Sequence, residues 1–344
     1  TYRRQLTAGP VASASTVFAA DASGEVSAVD LARGTRLWSR DTRPERDGAG
    51  GVGAGCAVAG DAVFVATGLA EIMALDPANG QIRWRAPLSA PARGAPTVAG
   101  DRIFVVTLDN QLTAMSATDG RRLWNYKGQE VVAIPLGLPA PAVSGETVIA
   151  GFPSGELVAL RASDGRVVWT EVLSAPPGTR RGGIADVVGV RALPVVSDGR
   201  VLAVGQGGTT LAVDLRSGRR LWERDVGGSQ TPAVAGEWIF MVSSDEQLLA
   251  MTRDTGQVRW ITALNPPTPP GGRRVEPARW GRPVLAGGRV VVAGSGGEAL
   301  SIDPLDGAVV SRTRLPASAT LPPAIVGGQI VYLTDDGALV ALRG

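Results

Sequence analysis

The chain has 344 residues, of which 44% are apolar, enough for one large domain or two ordinary ones with a sizeable core. The 34 Lys and Arg residues nearly balance the 32 Asp and Glu residues and are scattered, which excludes the concentrated basic stripe of a nucleic-acid-binding protein. No histidine is present, so the commonest general base and transition-metal ligand is excluded, and no apolar run approaches the ~18 residues that span a membrane.

The predicted elements repeat in one order along the chain. The first strand of a unit follows a proline, as at Pro10-Val11, and the second contains an apolar pair, as at Val17-Phe18. The third is a run such as VSAVD, and the fourth ends at a tryptophan such as Trp38. Gly, Asp and Ser between these runs are the residues that tight hairpins require.

Eight such units follow one another from the N-terminus to the C-terminus. The apolar pairs are Val17-Phe18, Val63-Phe64, Ile103-Phe104, Val148-Ile149, Val201-Leu202, Ile239-Phe240, Val290-Val291 and Ile330-Val331. The tryptophans, each four residues after a glycine, are Trp38, Trp84, Trp124, Trp169, Trp222 and Trp260. The seventh unit keeps Gly307 but has Ser311 in the tryptophan place.

A repeat of about 40–45 residues with four strands is typical of a β-propeller blade. We therefore predict an all-β fold, an eight-bladed propeller of four-stranded antiparallel blades, in one domain over residues 1–344. The turn aspartates, such as Asp214, are expected to bind backbone amides, and the glycines to supply a positive φ. The six tryptophans are expected to fill the gaps between blades.

The eighth unit ends before its fourth strand, at ALVALRG. Tyr2 lies eight residues before Pro10, a spacing close to the ten residues between Trp222 and Pro232. Residues 1–7 are therefore predicted to supply the outer strand of blade 8 and to close the ring. The segment TYRRQLTAGP lacks the apolar region of a signal peptide.

The hairpin Ala-x-Asp-x-x-x-Gly-x-x-x-Trp resembles the tryptophan-docking repeat of pyrroloquinoline-quinone-type propellers, and two families of that type compete. Quinoprotein dehydrogenases carry adjacent cysteines and a calcium site, whereas this chain has only Cys56, in an apolar context, and scattered turn aspartates. Length, unit number and the loss of the seventh tryptophan resemble the BamB family of propeller lipoproteins. The sequence thus favours a non-enzymatic protein without cofactor or metal.

The resemblance to the BamB family implies a scaffold in the periplasm at the inner face of the outer membrane. Its expected partners are a BamA-type barrel-assembly protein, bound through a POTRA domain, and unfolded outer-membrane proteins. Membrane contact is expected only through a lipid anchor that this chain does not include. A quinone-dependent dehydrogenase and a propeller adaptor in another periplasmic complex remain the alternatives.

The resemblance also places partner binding on two long inserts, residues 125–143 and 170–196. The family's contact positions fall on Ala133, Pro135 and Leu136 in the first insert, beside Ile134, and on Gly189 and Arg191 in the second, with Asp186 close by. The first insert is unusually apolar, so it is either an interaction loop or a loop folded over the core. A third, proline-rich insert at residues 265–284 carries Trp280 and reads as a lid or a spacer.

Overall fold

The computed structural model describes residues 8–21, 23–43, 54–92, 94–129, 139–173, 189–206, 208–266 and 276–343. Within these ranges all regular secondary structure is β, and no described helix is long and apolar enough to cross a membrane. The strands form eight antiparallel sheets, each made of strands consecutive in the chain. The structure therefore confirms the predicted all-β, eight-bladed propeller.

The first four blades each contain four strands. Blade 1 comprises β1 Val11–Ser13, β2 Thr16–Ala20, β3 Glu25–Asp30 and β4 Arg36–Asp41. Blade 2 comprises β5 Ala54–Ala59, β6 Ala62–Thr67, β7 Glu71–Leu75 and β8 Ile82–Pro87. Blade 3 comprises β9 Thr97–Ala99, β10 Arg102–Thr107, β11 Gln111–Ser116 and β12 Arg122–Lys127. Blade 4 comprises β13 Ala142–Ser144, β14 Thr147–Gly151, β15 Glu156–Arg161 and β16 Val167–Val172.

Blades 5 to 7 repeat this arrangement, and the described part of blade 8 has three strands. Blade 5 comprises β17 Val195–Ser197, β18 Arg200–Val204, β19 Thr210–Asp214 and β20 Arg220–Arg224. Blade 6 comprises β21 Ala233–Ala235, β22 Trp238–Val242, β23 Gln247–Thr252 and β24 Val258–Ala263. Blade 7 comprises β25 Val284–Ala286, β26 Arg289–Gly294, β27 Glu298–Ile302 and β28 Val309–Arg314. Blade 8 comprises β29 Ala324–Val326, β30 Gln329–Leu333 and β31 Leu339–Arg343. Residues 1–7, predicted to be its outer strand, lie outside the described residues.

The second and third strands of each blade form the core, because both of their faces pack against neighbouring blades. In β6 all six residues are buried, and the apolar runs of β7, β11 and β23 are buried likewise. The core consists of clusters that bridge adjacent sheets, such as the one in which Phe104 and Leu112 of blade 3 meet Val148 and Phe152 of blade 4. A further cluster joins Val17 of blade 1 to Ala324 and Val331 of blade 8, so the first and last blades are neighbours and the ring closes.

Each of the six repeat tryptophans lies between its own blade and the next, where it contacts a turn. The indole N–H donates to a carbonyl of the following blade: Trp38 to Pro77 at 2.9 Å, Trp84 to Ala117 at 3.1 Å, Trp124 to Ala162 at 2.9 Å, Trp169 to Leu215 at 2.8 Å, Trp222 to Arg253 at 2.8 Å and Trp260 to Pro304 at 3.0 Å. The ring also covers the turn glycine of that blade, so closely that a Cβ added to Gly218 would stand 2.6 Å from Trp169. These contacts link successive blades.

One local prediction was wrong: the fourth strand does not end at the tryptophan. Trp38 is the third residue of β4, which continues to Asp41, and the other five repeat tryptophans hold the same position in their strands. The strand continues because residues beyond the tryptophan also contact the next blade. Arg40 Nε donates to the Gly80 carbonyl at 2.8 Å, and Arg224 Nε donates to the Gly256 carbonyl at 3.1 Å.

Candidate partner-binding face

Antiparallel order puts the connections of each blade on two opposite faces of the ring. The first-to-second and third-to-fourth strand turns share one face, which we call the turn face. The second-to-third strand turns and the connections to the next blade share the other, which we call the insert face. All three long inserts belong to the insert face. Ala133, Ile134, Pro135, Leu136 and Asp186 lie outside the described residues, but the ends of the inserts that carry them are described.

The first insert leaves blade 3 through Gln129, which two buried polar side chains hold. Asn110 Nδ2 donates to the Gln129 carbonyl at 2.7 Å, and the Gln129 N–H donates to Glu156 Oε2 at 3.1 Å. Glu156 is only 3% exposed, yet its other oxygen accepts a hydrogen bond from the Tyr126 hydroxyl at 2.5 Å. A buried carboxylate is costly unless donors surround it, so these bonds fix the position of the strand end. Burial, with a further contribution from Glu156, raises the pKa of Tyr126, so this hydroxyl remains a donor.

The second insert begins and ends on the same turn of blade 4. The Leu173 N–H donates to the Gly155 carbonyl at 2.9 Å where the insert begins. The Val190 N–H donates to the Phe152 carbonyl at 3.1 Å where it ends. Val190 packs so closely on Gly151 that a Cβ there would lie 2.4 Å from Val190 Cγ1. Both ends are thereby attached to the rigid second and third strands.

Residues Phe152 to Glu156, which we call the blade 4 turn, therefore contact the described ends of both inserts. A Cβ added to Gly128, where the first insert begins, would lie 3.1 Å from the Phe152 ring and 3.2 Å from Glu156 Oε2. The rings of Tyr126 and Phe152 are 6.0 Å apart between centroids. Although the inserts are distant in sequence, their roots converge on five consecutive residues. This is the arrangement that two loops acting as one surface require.

The two described contact candidates differ in their access to solvent. Gly189 is buried, its carbonyl accepts the Gln206 N–H at 3.1 Å, and a Cβ there would stand 3.0 Å from the Pro153 carbonyl. Arg191 is half-buried, and within the described part of the chain it forms no ion pair. Of these two, Arg191 is the side chain available to a partner, while Gly189 belongs to the support of the loop.

Sequence reasoning did not single out Asn110 or Glu156. Nothing in the sequence distinguishes Glu156 from its equivalents, because six of the eight third strands begin with a Glu or Gln: Glu25, Glu71, Gln111, Glu156, Gln247 and Glu298. The other five are half-buried. Only Glu156 is covered, because Tyr126 and Gln129 of the preceding blade lie on it. For Asn110 the left-handed φ of 57° marks a position that few residue types accept.

The third insert is tightly packed where it returns to blade 7. Asn265 bonds to the backbone of Ala278 in both directions, at 2.9 and 3.0 Å, and the Trp280 N–H donates to Glu246 Oε2 at 2.8 Å. Trp280 is 4% exposed and lies on Gly294. Burial raises the pKa of Glu246, against the opposing effects of the Trp280 N–H and Arg279. Trp280 is thus part of the core between blades 6 and 7, and residues 267–275 are outside the described ranges.

The described residues contain no group of three or more Cys, Asp or Glu side chains that could hold a metal ion. The acidic side chains of the turns are occupied locally. Asp214 accepts the Ser217 N–H at 2.8 Å, and Asp76, Asp30 and Asp303 accept amides two or three residues further on in their own turns, at 2.8, 2.7 and 2.9 Å. These four aspartates therefore stabilise their own turns.

These features define an eight-bladed propeller with tryptophan-docked, quinoprotein-type blades and a loop-rich insert face. The family model of the outer membrane protein assembly factor BamB matches residues 4–262 and 265–344, and the chain belongs to that family. The BamB of Moranella endobia is 25% identical over 331 residues, covering 95% of this chain and 82% of that protein.

Solved structures agree with this assignment at the level of the fold. The crystal structure of BamB from Moraxella catarrhalis superposes with a TM-score of 0.84 at 21% identity, covering 99% of this chain and 97% of that one. Quinohemoprotein alcohol dehydrogenase from Comamonas testosteroni gives a TM-score of 0.74 at 14% identity, covering 96% of this chain and 70% of that one. The dehydrogenase thus shares the propeller architecture, whereas the family match is to assembly factors.

Proposed function

We propose that this chain is a non-catalytic scaffold subunit of the outer-membrane protein assembly machinery. It acts in the periplasm, against the inner face of the outer membrane, and docks a BamA-type barrel-assembly protein through a POTRA domain. In doing so it assists the insertion of outer-membrane β-barrel proteins. Family membership supports the general role, and the convergence of two inserts on the blade 4 turn supports the docking surface.

The proposed surface combines an apolar centre with a polar rim. Ile134 and Leu136 of the first insert form the centre with Ala133 and Pro135, and Asp186 and Arg191 of the second insert form the edge. Binding surfaces commonly have this arrangement. The function that follows is positioning, because the propeller holds its partner without a chemical step.

Titration of purified POTRA domains against variants of the chain tests the surface. We expect Leu136→Asp to weaken binding about thirtyfold, or ~2 kcal/mol, because it places a charge at the apolar centre. The matched control is Leu305→Asp on the turn face, where Leu305 is already 76% exposed. Melting curves of both variants should match the unmodified protein. Equal binding by the two variants would exclude the first insert as the docking site.

A second variant tests whether the blade 4 turn positions the insert. Glu156 accepts hydrogen bonds from the Tyr126 hydroxyl and the Gln129 N–H. Glu156→Gln replaces this carboxylate with an amide of nearly the same shape. We expect weaker POTRA binding than in a Glu298→Gln control, which changes the equivalent, half-buried residue of blade 7. Combining Glu156→Gln with Leu136→Asp should give less than the sum of the two losses, because both act through one loop. Additive losses would mean that the blade 4 turn and the first insert affect POTRA binding independently.

A further inference from the structure

The turn face carries a groove of about 360 Å³ between blades 2 and 3, which we call the blade 2–3 groove. Its walls include Phe64 and Trp84 of blade 2, whose ring centroids are 6.1 Å apart, and Val98 of blade 3. Asp61 and Asp101 lie in the first-to-second strand turns of the two blades and also line the groove, with side chains 88% and 74% exposed. The groove thus combines apolar walls with two accessible carboxylates.

Two small side chains leave this space open. Ala62 is the first residue of the second strand of blade 2, and Ala117 of blade 3 is the residue whose carbonyl accepts the Trp84 indole. Among the blade contacts for which both positions are described, this is the only one with alanine at both. The other pairs, in order around the ring, are Thr16 and Pro77, Arg102 and Ala162, Thr147 and Leu215, Arg200 and Arg253, Trp238 and Pro304, and Gln329 and Leu31.

Between blades 5 and 6 the equivalent space is filled by two arginines of the chain itself. Arg200 and Arg253 stand at the two alanine positions, with side chains 25% and 16% exposed and with buried Nε atoms. Arg200 pairs with Asp254 of blade 6 at 3.1 Å, and Arg253 pairs with Asp198 of blade 5 at 3.1 Å. This position in the fold therefore holds arginine side chains whose stems are covered and whose guanidinium groups meet turn carboxylates.

The carboxylates beside the blade 2–3 groove outnumber the cations that they contact. Arg83 bridges Asp61 and Asp76, at 2.7 and 2.9 Å, and Arg102 pairs with Asp101 at 3.2 Å. Three carboxylates thus share two guanidinium groups, which leaves one negative charge in excess. The groove is complementary to one further cation.

We propose that the blade 2–3 groove binds an arginine side chain of a second protein partner, on the face opposite the proposed POTRA surface. The stem of that arginine packs against Phe64 and Trp84, where a cation is also attracted by the aromatic faces. Its guanidinium pairs with Asp61 and Asp101. Arginine fits better than lysine because its planar fork can stack on a ring and pair with a carboxylate at the same time.

Ligand-observed NMR with a blocked Gly-Arg-Gly peptide tests the groove. The matched probe carries citrulline, which keeps the shape of arginine without its charge. We expect saturable binding of the arginine peptide and about fivefold weaker binding of the citrulline peptide. Asp61→Asn combined with Asp101→Asn should weaken binding of the arginine peptide about as much, while Glu146→Gln, in the equivalent turn of blade 4, should not.

A second variant closes the groove with a pair that the chain already uses. Ala62→Arg with Thr118→Asp copies Arg200 and Asp254 into blades 2 and 3, and it should abolish peptide binding without lowering the melting midpoint. Thr147→Arg, at the equivalent position of blade 4, is the control and should leave peptide binding unchanged.

Several results would overturn the proposal. They are the absence of saturable binding up to about 10 mM arginine peptide, equal binding of the citrulline peptide, and binding that survives closure of the groove. A dimer in sedimentation velocity that closure of the groove abolishes would show that the occupant is a second copy of this chain instead. POTRA titration of the closed variant should match the unmodified protein, so the proposal can fail while the scaffold function stands. Loss of POTRA binding would assign the groove to that interface and exclude a second partner.

Discussion

At the scale of single residues, a turn glycine can be required for two reasons, a left-handed φ or close contact with a neighbouring side chain. The sequence alone does not distinguish the two. Gly218 and Gly199 both adopt a left-handed φ, of 70° and 71°. A Cβ on Gly218 would meet Trp169 at 2.6 Å, whereas a Cβ on Gly199 would have no atom within 4 Å. Gly199 is thus required by backbone conformation alone, and Gly218 by conformation and by the docked ring.

Alanine substitutions should show this difference. Gly199→Ala is expected to lower the free energy of unfolding by about 1 kcal/mol, the cost of a Cβ in the left-handed region. Gly218→Ala should lower it by a further 1–3 kcal/mol, because the Trp169 ring must move. Urea unfolding of the two variants measures both values. Equal losses would mean that docking of the Trp169 indole does not require a glycine at position 218.

The single cysteine, Cys56, is a buried core residue whose thiol is expected to be unreactive in the folded protein. Cys56 is 2% exposed, and burial raises the pKa of its thiol to about 12. Because the thiolate is the reactive form, we expect no modification by a thiol reagent at pH 8 in the folded protein and full modification in denaturant. Stopped-flow absorbance with and without urea measures both rates. Fast labelling of the native protein would show that blade 2 opens locally.

At the scale of elements, the tryptophan in the third position of the outer strand joins each of blades 1 to 6 to the next blade. Its contribution combines an indole hydrogen bond, contact with a glycine and, in four blades, an aromatic pair such as Phe240–Trp260 at 6.0 Å. Ser311 holds the same position in β28, where every residue is exposed. The described part of blade 8 has no third-to-fourth strand turn opposite it.

These two positions give a matched pair of variants. Trp222→Ala should lower the free energy of unfolding by about 3–5 kcal/mol, because it opens a cavity and leaves the Arg253 carbonyl without its donor. Ser311→Ala, at the equivalent position of blade 7, should change it by less than about 0.5 kcal/mol. Thermal and urea unfolding provide the comparison. A small effect of Trp222→Ala would mean that blade stacking does not need the indole.

At the scale of the whole molecule, neighbouring sheets share one continuous core, and ion pairs between turns supplement it. On the turn face, Arg253 and Asp198 form an ion pair of 3.1 Å that joins blades 6 and 5, and Arg200 and Asp254 form a second of 3.1 Å. Exposed pairs of this kind add little each, about 0–1 kcal/mol. The apolar contacts between sheets are therefore the main source of stability.

The composition of the whole ring leads to a prediction about cofactors. With no histidine and with the turn aspartates bound to their own amides, we expect purified protein to contain neither stoichiometric calcium nor a quinone. Elemental analysis measures calcium, and an absorption spectrum measures the quinone. A second sample is first incubated with calcium and pyrroloquinoline quinone, then dialysed against plain buffer and measured in the same way. Retention of both after dialysis would favour a dehydrogenase over a scaffold.

Most of the fold was accessible from the sequence because the repeat is local. All eight apolar pairs lie in second strands, and the prolines Pro10, Pro141, Pro194, Pro232, Pro283 and Pro323 each stand directly before a first strand. The strand ends were less accessible. A register shift follows the alanine that pairs with each tryptophan, as at Ala28/Val29, and such a bulge depends on how the strand fits the next blade.

The candidate site was accessible only in part. The long inserts were visible in the sequence as departures from the repeat, and their common face follows from antiparallel strand order. The blade 4 turn was not visible, because the burial of Glu156 depends on Tyr126 and Gln129, about thirty residues away. A glutamate in a turn carries no local mark of being covered.

The number of blades, the strands within them and the residues that link one blade to the next could all be read from the sequence alone. These follow from short-range patterns: a glycine that accepts a positive φ, an aspartate that binds its own turn, and apolar residues that alternate or cluster within a few positions. Two features became visible only in the folded ring: which glycines support a docked indole, and which glutamate is buried. Those properties belong to pairs of residues brought together by ring closure, and the distance between them in space is not encoded in their spacing along the chain.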